Sequence, residues 1–410
     1  MSDIRNALVV GGGIAGPVAA MALRKAGIDA AVYEAYEGTA DGVGGGLGIA
    51  PNGLNALAVV EADDIVRDLG DPVASMVIES WTGKRLAEFG SPAGPPVFHA
   101  VWRTDLYRAM YDRAVSRGIR IEHGKRLIDV RDHGDSVTAV FADGTQATAD
   151  ILIAADGIRS TVRPLLDPAA PAPRYTGLLG FGARPSKAYD AGLDSTRGSM
   201  HMSFGKRAFF AYQVAEDGST GWFANLPARQ ALSNAATRQV GAAEWLRRLR
   251  EAFADDRTPA SAILARVAPE DLVMVGALED LPPVPTWSKG RIVLVGDAAH
   301  ATSPSSGQGA SIATESAVQL ARCLRDLPTV PEAFAAYEGL RRSRVERIIA
   351  DGKRTSSEKA AGPVARMLRD AVMPVTMKVL AKPEKMEWQV GYRIDWAAPV
   401  VPAAGHAVSR

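Results

Sequence analysis

Ala7-Leu8-Val9-Val10-Gly11-Gly12-Gly13-Ile14-Ala15-Gly16 begins as a short apolar run and breaks into glycines. Its valines suit a strand buried on both faces. Gly11, Gly13 and Gly16 read G-x-G-x-x-G, and the helix that follows carries Val18 and Ala22 on one face. Lys25 and then Gly27 end that helix with a cation and a glycine, as a helix C-terminus favours. A second strand, Ala30-Ala31-Val32-Tyr33, runs into Glu34. Each part has a mechanical job. Gly11 permits the tight turn, Gly13 lets the backbone approach a pyrophosphate, and Gly16 lets the helix lie close on the strand. The helix N-terminus offers unpaired N–H groups to phosphates. Glu34, 21 residues past Gly13, is placed to accept from a ribose diol and would repel a 2′-phosphate. The ligand expected here is FAD or NAD rather than NADP.

The whole chain is larger than one such unit. Its 410 residues suit two or three packed units, and an apolar share of 47% is enough for a full core. A formal charge of +1 argues against a nucleic-acid partner. The single cysteine, Cys323, excludes an intrachain disulfide. The uncharged stretch from Asn6 to Leu23 resembles a signal peptide, but its glycine cluster would break the helix that such a segment forms. No other stretch is long and apolar enough for a membrane span. The expectation is a cytoplasmic protein. No pair of neighbouring His or Cys residues suggests a metal, and His300 is expected to be structural.

Three further segments carry a resemblance. Val101-Trp102-Arg103-Thr104-Asp105-Leu106 opens a helix running to about Ser116. Ala155-Asp156-Gly157-Ile158-Arg159-Ser160 follows the apolar strand Ile151-Leu152-Ile153. Gly290 to His300, containing Val295-Gly296-Asp297, continues to Pro304 and Gly307-Gln308-Gly309. In order and spacing these resemble the W-R-x-x-L, D-G and G-D motifs of the class A flavoprotein monooxygenases, the para-hydroxybenzoate hydroxylase-like group, over residues 1 to about 350. The resemblance implies that Asp297 holds the ribityl chain of FAD and that Arg103 contacts its diphosphate region. It implies that Asp156 and Arg159 serve FAD and NAD(P)H. Gly307-Gln308-Gly309 starts a helix with a buried stripe of Ala313, Ala317, Leu320, Leu324 and Leu327. Its positive end would face the flavin pyrimidine and stabilise the reduced, anionic form by up to ~2 kcal/mol.

A second kind of sequence interrupts the nucleotide motifs. Val73 to Trp81 and Arg85 to Phe89 read as strands, and more strands follow after Pro173. Among these, Met200–Phe204, Ala208–Tyr212 and Trp222–Leu226 are separated by hairpin signals. Alternation puts His201 with Ser203, Phe210 with Tyr212, and Trp222 with Ala224 on single faces, and leaves open which face lines a pocket. His201, Tyr212 and Asn225 are the polar candidates for the substrate site, with Trp222 as an apolar contact. Arg341, Arg342, Arg344 and Arg347, interspersed with Glu338 and Glu346, read as a solvated helix face.

The expected fold is α/β: a Rossmann-like FAD-binding domain with an inserted mixed β-sheet substrate domain and C-terminal helices. Residues 1–72, 97–170 and 276–360 would form the FAD-binding domain, 73–96 and 171–275 the substrate domain, and 361–410 a helical cap and tail. As the resemblance implies, NADPH or NADH reduces the flavin and O₂ adds to give a C4a-hydroperoxide. One oxygen then passes to an aromatic, phenolic or polyketide-like small molecule. An FAD-dependent reductase or epoxidase on the same fold, or a non-catalytic flavin-binding protein, is the alternative. No arginine in the strand segments stands out as a partner for a carboxylate, which favours a neutral substrate.

Overall fold

The computed structural model describes residues 4–38, 44–90, 95–193, 196–359, 362–380 and 383–401. The apolar run that opens the sequence is a strand, Asn6–Val10, at the centre of a six-stranded sheet. Parallel neighbours flank it: Ile151–Ala154 on one side, with Val9 opposite Ile153, and Asp29–Tyr33 on the other, with Val9 opposite Val32. Ile292–Leu294 extends the sheet beyond Ile151–Ala154, and Arg120–Glu122 extends it beyond Asp29–Tyr33. Central strands buried on both faces need continuous apolar sequence, and Ile151, Leu152, Ile153 and Ala154 are all 0% exposed. Leu127–Asp132, Val137–Phe141 and Gln146–Ala149 form an antiparallel meander beside this sheet, an element outside the motifs read from sequence.

The helix Ala15–Lys25 follows the glycine turn and lies against the helix Gly309–Asp326. Their apolar stripes share one core with the sheet, including Val18, Ala22, Ala313, Ala317 and Leu320. A 30-residue helix, Val330–Lys359, packs next to Gly309–Asp326 and carries the chain across to the second sheet.

That second sheet has seven strands. In spatial order they are Val273–Asp280, Arg174–Ser186, Thr220–Pro227, Phe209–Val214, Ser199–Phe204, Ser75–Ser80 and Arg85–Gly90. All neighbours are antiparallel except Ser199–Phe204 and Ser75–Ser80, so the sheet is mixed, and the early segment joins it from a distance in sequence. Two details differ from the expected boundaries. The run expected as one strand from Val73 to Trp81 is split at Ala74, with Asp71–Val73 pairing instead with Phe98–Trp102. The sheet also continues to Asp280, past the boundary expected at 275. Helices Ala242–Phe253 and Ala260–Arg266 cover one face of this sheet. The C-terminal region forms helices Pro363–Leu380 and Pro383–Val390, followed by irregular chain to residue 401; the rest of the expected tail lies outside the described residues. Among the described residues no helix is long and apolar enough to cross a membrane.

Arg341 and Arg344 of the arginine-rich stretch leave the solvated face expected of it, while Arg347 is exposed. Arg341 is fully buried, and its Nη1 stands 2.6 Å from Glu315 Oε2, itself fully buried on Gly309–Asp326. Arg344 adds bonds at 2.9 Å to both Glu315 oxygens, and Asn52 Nδ2 donates to Oε1 at 2.5 Å. Burial raises the Glu315 pKa, but the two guanidiniums outweigh it and hold the carboxyl below its usual value. Arg344 also donates to the Gln389 carbonyl, and its guanidinium lies 4.4 Å from the Tyr392 ring centre. Arg347 stacks over Trp388, and Arg342 is half-buried between Glu338 and Glu346. Arg341, Arg344 and Arg347 therefore join two helices and the C-terminal segment. Glu315→Ala would leave buried guanidinium charge uncompensated, and we expect it to cost about 3–5 kcal/mol of stability. Urea unfolding measures this directly, and a loss below about 1 kcal/mol would contradict it.

Candidate active site

The three glycines of the turn have three different surroundings. Gly11 has φ +103°, and a Cβ on it would lie 2.4 Å from the Ala155 carbonyl oxygen. A Cβ on Gly16 would lie 1.9 Å from the Gly11 carbonyl oxygen, so the helix can approach the strand only without one. A Cβ on Gly13 would meet nothing within 4 Å. Gly13 instead lines a cavity of about 2250 Å³ that runs between the two sheets. The helix beginning at Ala15 has no side-chain cap, so its first N–H groups are free for a ligand.

Other predicted residues meet Gly13 along this wall. Arg103, Asp297, Gly307, Gln308 and Gly309 all line the cavity. Arg103 begins the helix Arg103–Ser116, and its side chain passes so close to Gly44 that a Cβ there would lie 2.7 Å from its Cδ. Asp297 follows the strand Ile292–Leu294 and is accessible from the cavity. The surrounding protein nevertheless raises its pKa by desolvation, an effect that Arg103 partly offsets. Gly307 adopts φ +62° before the helix Gly309–Asp326, whose N-terminus also has no side-chain cap. Gln308 is tied down from behind, its Oε1 accepting from Asn52 Nδ2 at 3.0 Å.

Glu34 is buried beside the turn. Its Oε2 accepts from Gly12 N at 2.6 Å and its Oε1 from Tyr36 N at 2.9 Å. Each oxygen retains a lone pair for a ribose hydroxyl. Asp156 does not line the cavity. Its Oδ2 accepts from the N–H groups of Thr161 and Val162, at 2.8 and 3.1 Å, and so caps the short helix Val162–Leu166. Its neighbours Ala155 and Gly157 line the cavity in its place. Burial raises the Asp156 pKa against these bonds. Arg159 is paired with Glu279 at 2.7 Å on the surface. His300 is structural: it is buried, its Nε2 lies 2.8 Å from Ser316 Oγ, and burial pushes its pKa down to about 3.

At the other end, strand register decides which side chains face the cavity. His201 stands opposite Tyr212, and Tyr212 opposite Trp222, so the three share one face. That face is the one the helices cover. Tyr212 and Trp222 belong to the core under Trp245 and Phe253, at 2% and 4% exposed. His201 stacks on Tyr212 and bonds Glu79 at 3.1 Å. Burial raises the Tyr212 pKa, with Glu79 adding to it. The strands of these residues border the cavity, but alternation turns the rings into the helix-covered core. His201 is outside the cavity lining, and Tyr212 borders the cavity with its ring packed in the core.

The opposite face carries Met202, Ala211 and Phe223 in one register row and Phe204, Phe209 and Asn225 in the next. All six line the cavity; of the three polar candidates Asn225 lies on this face, Tyr212 borders the cavity from the other face, and His201 does not line it. Lys359, at the end of the long helix, joins them and was not singled out by sequence, since it belongs to no motif.

The arrangement suits a dinucleotide at the glycine end and a flat apolar ligand at the sheet. Backbone N–H groups, a cation and an accessible carboxylate line the first, and aromatic rings line the second. The volume exceeds the roughly 300–1,000 Å³ of a pocket for one drug-sized ligand.

Comparison with known proteins agrees. Residues 5–351 match the family model described as FAD binding domain. The FAD-dependent urate hydroxylase of Klebsiella pneumoniae is 30% identical over 359 residues, covering 85% of this chain and 89% of that protein. The 6-hydroxynicotinate 3-monooxygenase of Pseudomonas fluorescens is 30% identical over 361 residues, covering 85% and 90%. The structure of Klebsiella pneumoniae HpxO complexed with FAD and uric acid superposes with a TM-score of 0.78 at 25% identity, covering 94% of this chain and 99% of that one.

Gly13 and Gly16 separate binding from folding. We expect Gly13→Ala to keep the stability of the apoprotein while weakening FAD binding about tenfold or more, because its methyl projects where the pyrophosphate approaches. Gly16→Ala should destabilise the fold by about 1–3 kcal/mol through the clash with Gly11. Thermal melts of the apoprotein and FAD titrations check both; equal effects of the two variants on each measurement would contradict the assignment.

Proposed function

Because the chain belongs to the FAD binding domain family of class A flavoprotein monooxygenases, we propose that its cavity holds FAD along the glycine end. On the same reading, the mixed sheet receives an aromatic, phenolic or polyketide-like small molecule, with NADPH or NADH as electron donor and O₂ as co-substrate. The enzyme is an FAD-dependent monooxygenase. The observation that carries the site assignment is one continuous cavity joining Gly13, Arg103, Asp297 and Gly307 to Phe209, Phe223 and Asn225.

Each group acts by ordinary physical chemistry. The N–H groups at Gly13 and the start of Ala15–Lys25 donate to the pyrophosphate, and Arg103 offsets its charge. Glu34 accepts from the adenosine ribose, and Asp297 accepts from the ribityl hydroxyls. An ionised carboxylate has every lone pair free to accept, and Arg103 favours that form of Asp297 against desolvation. The uncapped start of Gly309–Asp326 places partial positive charge where the flavin pyrimidine would gain negative charge on reduction. Bound FAD supplies the electron transfer and oxygen chemistry. The protein positions the substrate, and the apolar sheet face with the helix Pro363–Leu380 beside it limits the access of water.

The purified protein should take up FAD stoichiometrically and without a covalent bond. It should then oxidise NADPH or NADH in an oxygen-dependent, substrate-stimulated reaction that yields an oxygenated product. A reductase would add no oxygen to the product, and an epoxidase would yield an epoxide. Asp297→Ala should weaken FAD binding by about 1–3 kcal/mol, or about 5- to 150-fold. Unchanged affinity in equilibrium titrations would overturn the ribityl assignment.

A further inference from the structure

The long helix ends by placing Lys359 over the cavity face of the substrate sheet. Its Nζ donates to Asn225 Oδ1 at 2.9 Å and lies 3.8 Å from the centre of the Phe209 ring and 5.7 Å from that of Phe223. The orientation of Asn225 is fixed, because its Nδ2 donates to the Ala224 carbonyl at 3.1 Å and so turns Oδ1 to the lysine. Among the described residues no carboxylate pairs with Lys359. Arg369, the neighbouring cation over Phe204, is by contrast bound to Asp370 at 2.7 Å.

An amine held by one amide oxygen and two aromatic faces has donor capacity left over. Burial in these surroundings pushes the Lys359 pKa down to about 7, so a large fraction of the amine is neutral near neutral pH. A neutral amine facing a flat apolar slot can take a proton from a bound acid and then attract the anion it has made. The charge of the pair stays at zero, so the apolar slot gains no net charge.

We propose that Lys359 is a specificity-determining residue that selects flat, conjugated molecules bearing an acidic hydroxyl, takes up that hydroxyl's proton and holds the resulting oxyanion, with Asn225 fixing the nitrogen. The substrate O–H bond breaks with its electron pair left on oxygen, and an N–H bond forms on Lys359. The oxyanion pushes electron density into the ring, which suits a carbon that is to accept oxygen. This assignment rests on the reading of the cavity as a flavin monooxygenase site.

The test uses the FAD-loaded protein with two probes, 4-nitrophenol and its methyl ether 4-nitroanisole, which has no proton to give. At a pH below the pKa of free 4-nitrophenol, binding to the wild type should produce the visible phenolate band. Lys359→Met should abolish the band and weaken 4-nitrophenol binding about tenfold or more. Its affinities for 4-nitroanisole and FAD should change by less than about twofold. Lys359→Gln serves as a second variant and should behave alike. Any of three results overturns the proposal: no phenolate band on the wild type, a band retained in both variants, or no uptake of either probe by the wild type at millimolar concentration. Failure of the wider reading would show separately, as FAD-loaded enzyme that oxidises neither NADPH nor NADH in air with any substrate.

Discussion

The buried carboxylate of Glu315 is the point on which the site's geometry depends. Arg341 and Arg344 reach it from the helix Val330–Lys359, and Asn52 reaches it from a helix after the first sheet strands. An ion pair with no exposure is poor evidence of net stabilisation, since desolvation offsets much of its attraction. Its value here is geometric. Asn52 bonds both Glu315 and Gln308, so the network sets where the uncapped start of Gly309–Asp326 meets the cavity. The helix that carries Arg341 and Arg344 ends at Lys359, so the same anchor governs both ends of the cavity.

Between those ends the proposed site presents two kinds of surface for two recognition problems. At the nucleotide end the useful groups are main-chain donors, which glycine exposes by leaving out side chains. Gly13 faces open space, while Gly11 and Gly16 are pressed against backbone. At the sheet the useful groups are side chains, and strand alternation sorts them into a packed face and a cavity face. One residue of slip would exchange the Met202–Ala211–Phe223 row for the His201–Tyr212–Trp222 row. The helices over Trp245 and Phe253 prevent this exchange, because they already bury the second row.

The nucleotide half was legible in sequence because its chemistry is local. A glycine turn, a following helix and an acid at the end of the next strand stand at fixed offsets, and Asp297 follows directly on a buried strand. Asp156 shows the limit of that reading. An aspartate before glycine also suits a cap, and here its carboxylate serves the helix Val162–Leu166. The choice between the faces of the substrate sheet depends on which side the helices cover, and that is a tertiary fact absent from the alternation itself. Arg341 misled for a related reason. Interspersed arginines and glutamates look solvated, yet the partner that buries Arg341 lies on another helix. Lys359 had no local signal at all, since its surroundings come from strands more than a hundred residues earlier.

The central claim is that one cavity holds the cofactor along the glycine turn and presents its reactive end to the Phe209–Phe223 face. A crystal structure of the FAD-loaded protein tests it most directly. The account predicts the pyrophosphate within hydrogen-bond distance of Gly13 N, the ribityl chain on Asp297, the adenosine ribose on Glu34, and the flavin ring between the start of Gly309–Asp326 and the sheet. A flavin ring pointing away from Phe209 and Phe223, or a pyrophosphate remote from Gly13, would contradict it.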